Sequence, residues 1–93
     1  MISLKEAREK VDELDSQLLK TLAERFDLMQ EIAAYKKANN LPVEDKEREE
    51  KLITQKTDEL KKLRYDDAEF VRELFAVIMK KAKELQKGEI QKN

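Results

Sequence analysis

Apolar residues recur every seven positions over the first part of the chain, the spacing expected for one face of a long helix. Two such series run in parallel: Leu4, Val11, Leu18 and Ile32, and Ala7, Leu14, Leu28 and Tyr35. A capping box of Ser3 and Glu6 marks the start of the pattern. The pattern ends at the segment Asn39-Asn40-Leu41-Pro42. The pattern therefore predicts a single helix of about 36 residues before this break.

Two shorter helices are predicted after the break. The first extends from Asp45, a good N-cap, to about Leu63, and Arg64-Tyr65-Asp66 interrupts the chain after it. The second extends from about Asp67 to Lys87, and Gly88 is expected to terminate it. Its apolar face comprises Val71, Leu74, Phe75, Ile78, Ala82 and Leu85.

The length of the first helix determines the expected quaternary structure. It spans about 54 Å, whereas a compact chain of 93 residues is only about 32 Å wide. The protruding part still carries apolar residues as far as Tyr35, and a second copy of the chain is the simplest partner that could bury them. We therefore predict an all-α fold with one long and two shorter helices per chain, in an intertwined homodimer.

Composition narrows the possible chemistry. The chain has 93 residues, enough for one domain over residues 1–93, and its net charge of −1 favours neither nucleic acid nor a membrane as a partner. It contains neither cysteine nor histidine, which excludes Ser-His-Asp and Cys-His mechanisms and removes the commonest metal ligands. The N-terminus has no apolar run of signal-peptide length, so a cytoplasmic, soluble protein is expected.

Two cations interrupt the apolar face of the first helix. Arg25 falls in the same seven-residue series as Leu18 and Ile32, and Lys36 follows eleven residues later, about 20° away around the helix. They either set the register of a coiled coil or are solvated, or they form a cationic pocket within a helical bundle. The lysines of the run Lys80-Lys81-Lys83, in contrast, are interpreted as a solvated helix face.

Further polar candidates lie on the other helices. Asp45, Arg48 and Glu49 are spaced so that they share one helix face, either as a cap with ordinary surface charges or as part of a site. Gln86 lies one turn after Ala82, at the edge of an apolar face where a glutamine is usually unimportant. Considered separately, each of these positions has an ordinary structural explanation.

In combination, these residues resemble the AroQ-type, all-helical chorismate mutases. The resemblance extends from Leu4 to about Gln86, and it depends on the order and spacing of fragments that are individually weak. The fragments are Ala7-Arg8-Glu9-Lys10-Val11, Leu14-Asp15, Leu22-Ala23-Glu24-Arg25, Lys36, Pro42-Val43, Asp45, Arg48-Glu49, Leu74-Phe75 and Gln86.

The resemblance implies a role for each cation. Arg8, Arg25 and Arg48 correspond to the arginines that hold the two carboxylates of chorismate, the small-molecule substrate. Lys36 and Gln86 correspond to the donors to the ether oxygen of the bond that breaks, and Lys36 also to a neighbour of the ring hydroxyl. The resemblance implies that Lys36, Gln86 and Arg25 are the catalytic residues.

The resemblance also implies an acidic pair, and it includes one departure. Glu49, with Asp45, corresponds to the carboxylates that accept from the ring hydroxyl. Ala82 stands where several members of the family carry a polar side chain that adds a carboxylate contact, so substrate binding is expected to be weaker or to use a water there.

The implied reaction suits a chain without histidine or cysteine. Conversion of chorismate to prephenate is a unimolecular pericyclic shift, so no cofactor or metal is expected; it requires positioning of the substrate and donors to the ether oxygen. Arg8 and Arg25 are seventeen residues apart, roughly 25 Å along one helix. If both serve one site, Arg8 must come from the other subunit, which predicts a homodimer with shared active sites.

Three other functions remain open at this point. An isochorismate pyruvate lyase has the same fold and a similar pocket. A catalytically silent helical module could instead bind or regulate a partner of aromatic amino-acid biosynthesis, the pathway that the resemblance implies. A generic coiled-coil protein is disfavoured by the break at Pro42 and by the thin apolar stripe after it. Docking on another pathway enzyme is neither indicated nor excluded by the sequence.

Overall fold

The protein is all-α. The computed structural model describes residues 1–91, and of residues 89–91 only the backbone. These residues form three helices and no strand: α1 (Leu4–Ala38), α2 (Lys46–Lys62) and α3 (Ala68–Gln91). One long and two shorter helices were predicted from the apolar pattern, and that prediction is confirmed.

Each helix begins at a side-chain cap. Ser3 Oγ accepts from the Glu6 backbone N–H at 3.1 Å, and Asp45 Oδ1 accepts from the Arg48 N–H at 3.0 Å. Asp67 Oδ1 accepts from the N–H of the third residue after it at 3.0 Å. These bonds satisfy amide groups that have no partner within their helix, so the three starts are fixed by the local sequence.

The first two helices end in Schellman motifs, in which a residue with positive φ reverses the chain. After α1, Asn40 has a φ of 55°, and the Leu41 N–H donates to Lys36 O at 2.8 Å. After α2, Arg64 has a φ of 80°, and the Tyr65 N–H donates to the carbonyl five residues earlier at 3.1 Å. Asparagine tolerates this conformation well, whereas arginine is strained in it.

The prediction that Gly88 terminates the third helix is wrong, because α3 continues to Gln91. Glycine ends a helix by adopting a positive φ, and Gly88 does not adopt one. Within a helix a glycine lowers the stability by only about 1 kcal/mol relative to alanine, and the neighbouring helical turns can offset this cost.

α3 packs against both α1 and α2 and carries half of the small core. The buried apolar residues are Ala33, Leu52, Ile53, Val71, Ile78 and Ala82. An exposed ion pair between Arg72 and Glu50 joins α3 to α2, with Nη1 and Nη2 of the arginine donating to the two carboxylate oxygens at 3.0 and 3.1 Å. These contacts hold α1 and α2 against α3.

Much of α1 has no packing partner within the chain. Its exposed apolar residues are Leu4, Val11, Leu14, Leu18, Leu19, Leu28, Ile32 and Tyr35. The radius of gyration is 16.7 Å, compared with about 12 Å for a compact chain of this length. None of the helices within residues 1–91 has the length and apolar character needed to cross a membrane.

Candidate active site

A cavity of about 250 Å³ lies where the second half of α1, the start of α2 and the second half of α3 meet. Its wall combines apolar and charged side chains. The lining residues are Arg25, Met29, Ile32, Lys36, Val43, Asp45, Arg48, Glu49, Leu52, Met79, Ala82, Lys83 and Gln86. The structure thus brings together every predicted site residue except Arg8.

Arg25 contributes a half-buried cation to this cavity. Its Nη1 atom is buried and has no hydrogen-bond partner. Burial, and secondarily the positive charge of Arg48, lowers the pKa of Arg25 from its usual value. A buried donor without a partner is costly, and an anion bound in the cavity would remove that cost. The side chain is therefore arranged to receive a negatively charged group.

Lys36 is held in the cavity wall by two acceptors. Its Nζ atom donates to the backbone oxygen of Val43 at 2.8 Å and to Gln86 Oε1 at 3.1 Å. The first acceptor lies in the segment between α1 and α2, and the second lies on α3. Because an ammonium group has three N–H donors, one remains for a group inside the cavity.

Gln86 is buried, with only 5% of its surface exposed. Lysine can only donate, so the amide must turn its oxygen towards Lys36 and its nitrogen away from it. The Nε2 atom contacts Met29 Sδ at 3.9 Å, and a thioether is a weak acceptor. The amide nitrogen is therefore positioned as a donor that a better acceptor in the cavity could engage.

The acidic residues of the cavity differ in their surroundings. Asp45 caps α2, so one of its oxygens is already occupied by the Arg48 N–H. Glu49 lies one turn further along α2, with 21% of its side chain exposed, and its Oε1 pairs with Lys83 at 2.6 Å. The cavity thus presents four cations and two carboxylates among the side chains of one chain.

The interpretation of Lys83 as part of a solvated face is wrong. Its side chain is only 30% exposed, it lines the cavity, and it pairs with Glu44 at 3.2 Å as well as with Glu49. Both partners lie more than thirty positions earlier in the sequence, so local charge spacing could not reveal them. The sequence offered one sign that Lys83 belongs to the site. It lies three residues before Gln86 and four after Met79, so the three residues share one helix face.

The two remaining predicted residues lie in contrasting places. Ala82 forms part of the cavity wall and is 4% exposed, so the wall has no side-chain polar atom at that point. Arg8 is exposed near the start of α1 and does not line the cavity of its own chain. This placement agrees with the roughly 25 Å between Arg8 and Arg25 expected from the rise of one helix.

The fold and the cavity define an all-helical protein with a cationic pocket suited to a small anion. Residues 7–87 match the family described as chorismate mutase type II. A chorismate mutase of Methanocaldococcus jannaschii is 36% identical over 84 residues, which cover 90% of this chain and 84% of that protein. No solved structure gives a significant match. The chain belongs to the type II chorismate mutases, a family of isomerases, as the resemblance predicted.

Proposed function

We propose that the chain converts chorismate to prephenate without a cofactor, in the cavity around Lys36 and Gln86. One observation carries the proposal: two preorganised donors line a cavity that also contains a half-buried arginine whose Nη1 atom has no hydrogen-bond partner. A pericyclic shift breaks an ether bond as a carbon–carbon bond forms, and it requires neither a nucleophile nor a base. The catalytic task is therefore to fold the substrate and to stabilise charge on the ether oxygen.

The carboxylates of the substrate would be held by arginine. Arg25 on α1 and Arg48 on α2 both line the cavity, and guanidinium groups can hold carboxylates in a fixed orientation. Two anchored carboxylates favour the conformation in which the enolpyruvyl chain lies over the ring. The buried Nη1 of Arg25 would gain the acceptor that it lacks.

The breaking bond would be stabilised by Lys36 and Gln86. The third N–H of Lys36 and an N–H of Gln86 Nε2 would donate to the ether oxygen as its negative charge grows. Donors of this kind contribute about 3–4 kcal/mol each to lowering a barrier in a water-poor site. Glu49, with Asp45, would accept from the ring hydroxyl, which Lys36 also approaches.

We further propose that the site is completed by Arg8 of a second copy. The chain exposes 7844 Å², about 2,200 Å² more than a compact protein of its mass. An excess of this size on each of two chains is typical of an obligate dimer interface, and the apolar face of α1 supplies its surface. Light scattering at micromolar concentration should give twice the 11.0 kDa mass of one chain; a mass of 11.0 kDa would contradict the dimer.

The activity can be tested with purified protein by following the loss of chorismate absorbance and identifying the product. Formation of prephenate, with isochorismate left intact, is the expected result. Release of pyruvate from isochorismate would instead identify a lyase of the same fold. Absence of turnover with both substrates would indicate a silent regulatory module.

A further inference from the structure

Lys83 is the cavity cation that the proposed chemistry leaves without a role. It lies on α3, directly after the apolar Ala82, and its ammonium group is shared between two carboxylates. Glu49 belongs to α2, and Glu44 belongs to the segment between α1 and α2. Lys83 therefore connects three parts of the chain at the edge of the cavity.

The need for such a cation follows from the charge of the ligand. The cavity must admit a dianion although Asp45 and Glu49 line its wall. An uncompensated carboxylate near the substrate would repel it, because Coulomb interactions are poorly screened in a partly buried site. Asp45 is compensated by the amide at the start of α2, and the short contact to Lys83 compensates Glu49.

We propose, on the basis of the function proposed above, that Lys83 is a positioning residue for substrate binding that acts through Glu49. It holds the carboxylate of Glu49 against the cavity wall and neutralises it. Glu49 can then accept from the hydroxyl of a substrate without repelling the substrate's own carboxylates.

The geometry supports a persistent contact rather than a chance surface pair. Glu49 is 21% exposed and Lys83 30% exposed, so water competes only in part for either group. The bond to Glu49, more than that to Glu44, raises the pKa of Lys83 above its usual value. The hydrogen bond from Lys83 likewise lowers the pKa of Glu44. The folded state therefore favours the charged forms of Lys83 and Glu44.

A specific kinetic prediction follows, because the hydroxyl takes no part in the bond that breaks or in the bond that forms. An interaction made equally in the ground state and the transition state changes KM and leaves kcat unchanged. Lys83→Met should therefore raise KM for chorismate about tenfold, as expected for loss of a hydrogen bond that involves a charged group, with kcat within twofold of wild type. Lys83→Arg keeps the positive charge, so its KM should rise much less.

Lys81→Met is the matched control, since it removes one positive charge from an exposed position of the same helix outside the cavity. Its KM should remain that of the wild type. Lys83→Gln provides a second, polar replacement and should behave as Lys83→Met does, while thermal melts verify that each variant is folded. If Lys83→Met and Lys83→Gln both had the same KM as Lys81→Met, the proposal would be overturned.

A double-mutant cycle with Glu49→Gln tests whether Lys83 acts through Glu49. If it does, Lys83→Met should add little to the KM of the Glu49→Gln variant. An undiminished tenfold effect in that background would show that Lys83 acts on the substrate independently, and the proposal would be wrong. Wild-type protein without chorismate turnover would overturn the proposed function and this proposal with it, whereas active wild type with an unaffected Lys83→Met variant would overturn this proposal alone.

Discussion

Lys36 Nζ donates to Gln86 Oε1 over 3.1 Å, and this contact determines which end of the amide is free to donate. The two residues lie fifty positions apart in sequence, on the first and third helices. Because a lysine offers no acceptor, the carbonyl of Gln86 faces it and the amide nitrogen does not. One cation thereby both supplies a donor and orients a second one.

Replacement of Lys36 by alanine should lower kcat by at least about a hundredfold, as for loss of an oxyanion-type donor. The loss has two parts, since the ammonium donor disappears and the amide of Gln86 loses the contact that orients it. Lys37→Ala is the matched control on the same helix, because Lys37 is exposed and does not line the cavity. Near-native turnover by Lys36→Ala would show that the reaction takes place elsewhere.

Replacement of Gln86 by glutamate should make activity depend on pH. The new carboxylate would pair with Lys36 and could donate only when protonated, so kcat should fall about a hundredfold at neutral pH and recover on acidification. The wild type, which has no histidine, should show a nearly flat rate between about pH 6 and 8.5, because carboxyl and ammonium groups ordinarily titrate outside that window. Parallel pH–rate profiles of the two proteins would contradict the donor role of the amide.

Replacement of Arg64 by glycine should stabilise the protein by about 0.5–1 kcal/mol. The φ of 80° at this position is strained for arginine but not for glycine, although the greater freedom of glycine in the unfolded chain offsets part of the gain. The free energy of unfolding can be measured in denaturant at fixed protein concentration. Arg64→Ala is the control and should not be stabilised, since alanine retains a Cβ; equal gains for both variants would disprove backbone strain as the cause.

The ion pair between Glu50 and Arg72 should contribute to stability only above acidic pH. The hydrogen bond from Arg72 lowers the pKa of Glu50 from its ordinary value of 4.5, so the folded state favours the ionised carboxylate. This contribution is therefore present above pH 4.5 and is lost as the pH falls through the lower folded-state pKa. Glu50→Gln should be less stable than wild type at pH 7, and the difference should shrink below pH 4.5; a difference independent of pH would exclude the pair as its source.

The helices could be predicted because their determinants are local. Ser3, Asp45 and Asp67 cap the three starts where the sequence places them, and the break after α1 coincides with Asn39–Pro42. Gly88 was misjudged because glycine permits a helix to end without requiring it to.

Residue spacing and the family resemblance predicted most of the polar residues that belong to the candidate site, but not how those residues contact one another. Arg25 and Lys36 stand out because they interrupt an apolar face. The pairing of Lys83 with Glu44 and Glu49, and the orientation of Gln86, depend on contacts between distant parts of the chain. Such contacts become apparent only when the packing of the helices is known.

The central claim is that each active site combines the cavity of one chain with Arg8 of another. Two inactive variants, Arg8→Ala and Lys36→Ala, are unfolded together in equal amounts and refolded, with each variant refolded separately as the control. Random pairing makes about half of the dimers mixed, and each mixed dimer has one intact site and one site lacking both cations, so about a quarter of native chorismate mutase activity should return. The variants refolded alone should remain near zero. No recovery, in a mixture proven to contain heterodimers, would contradict the shared site.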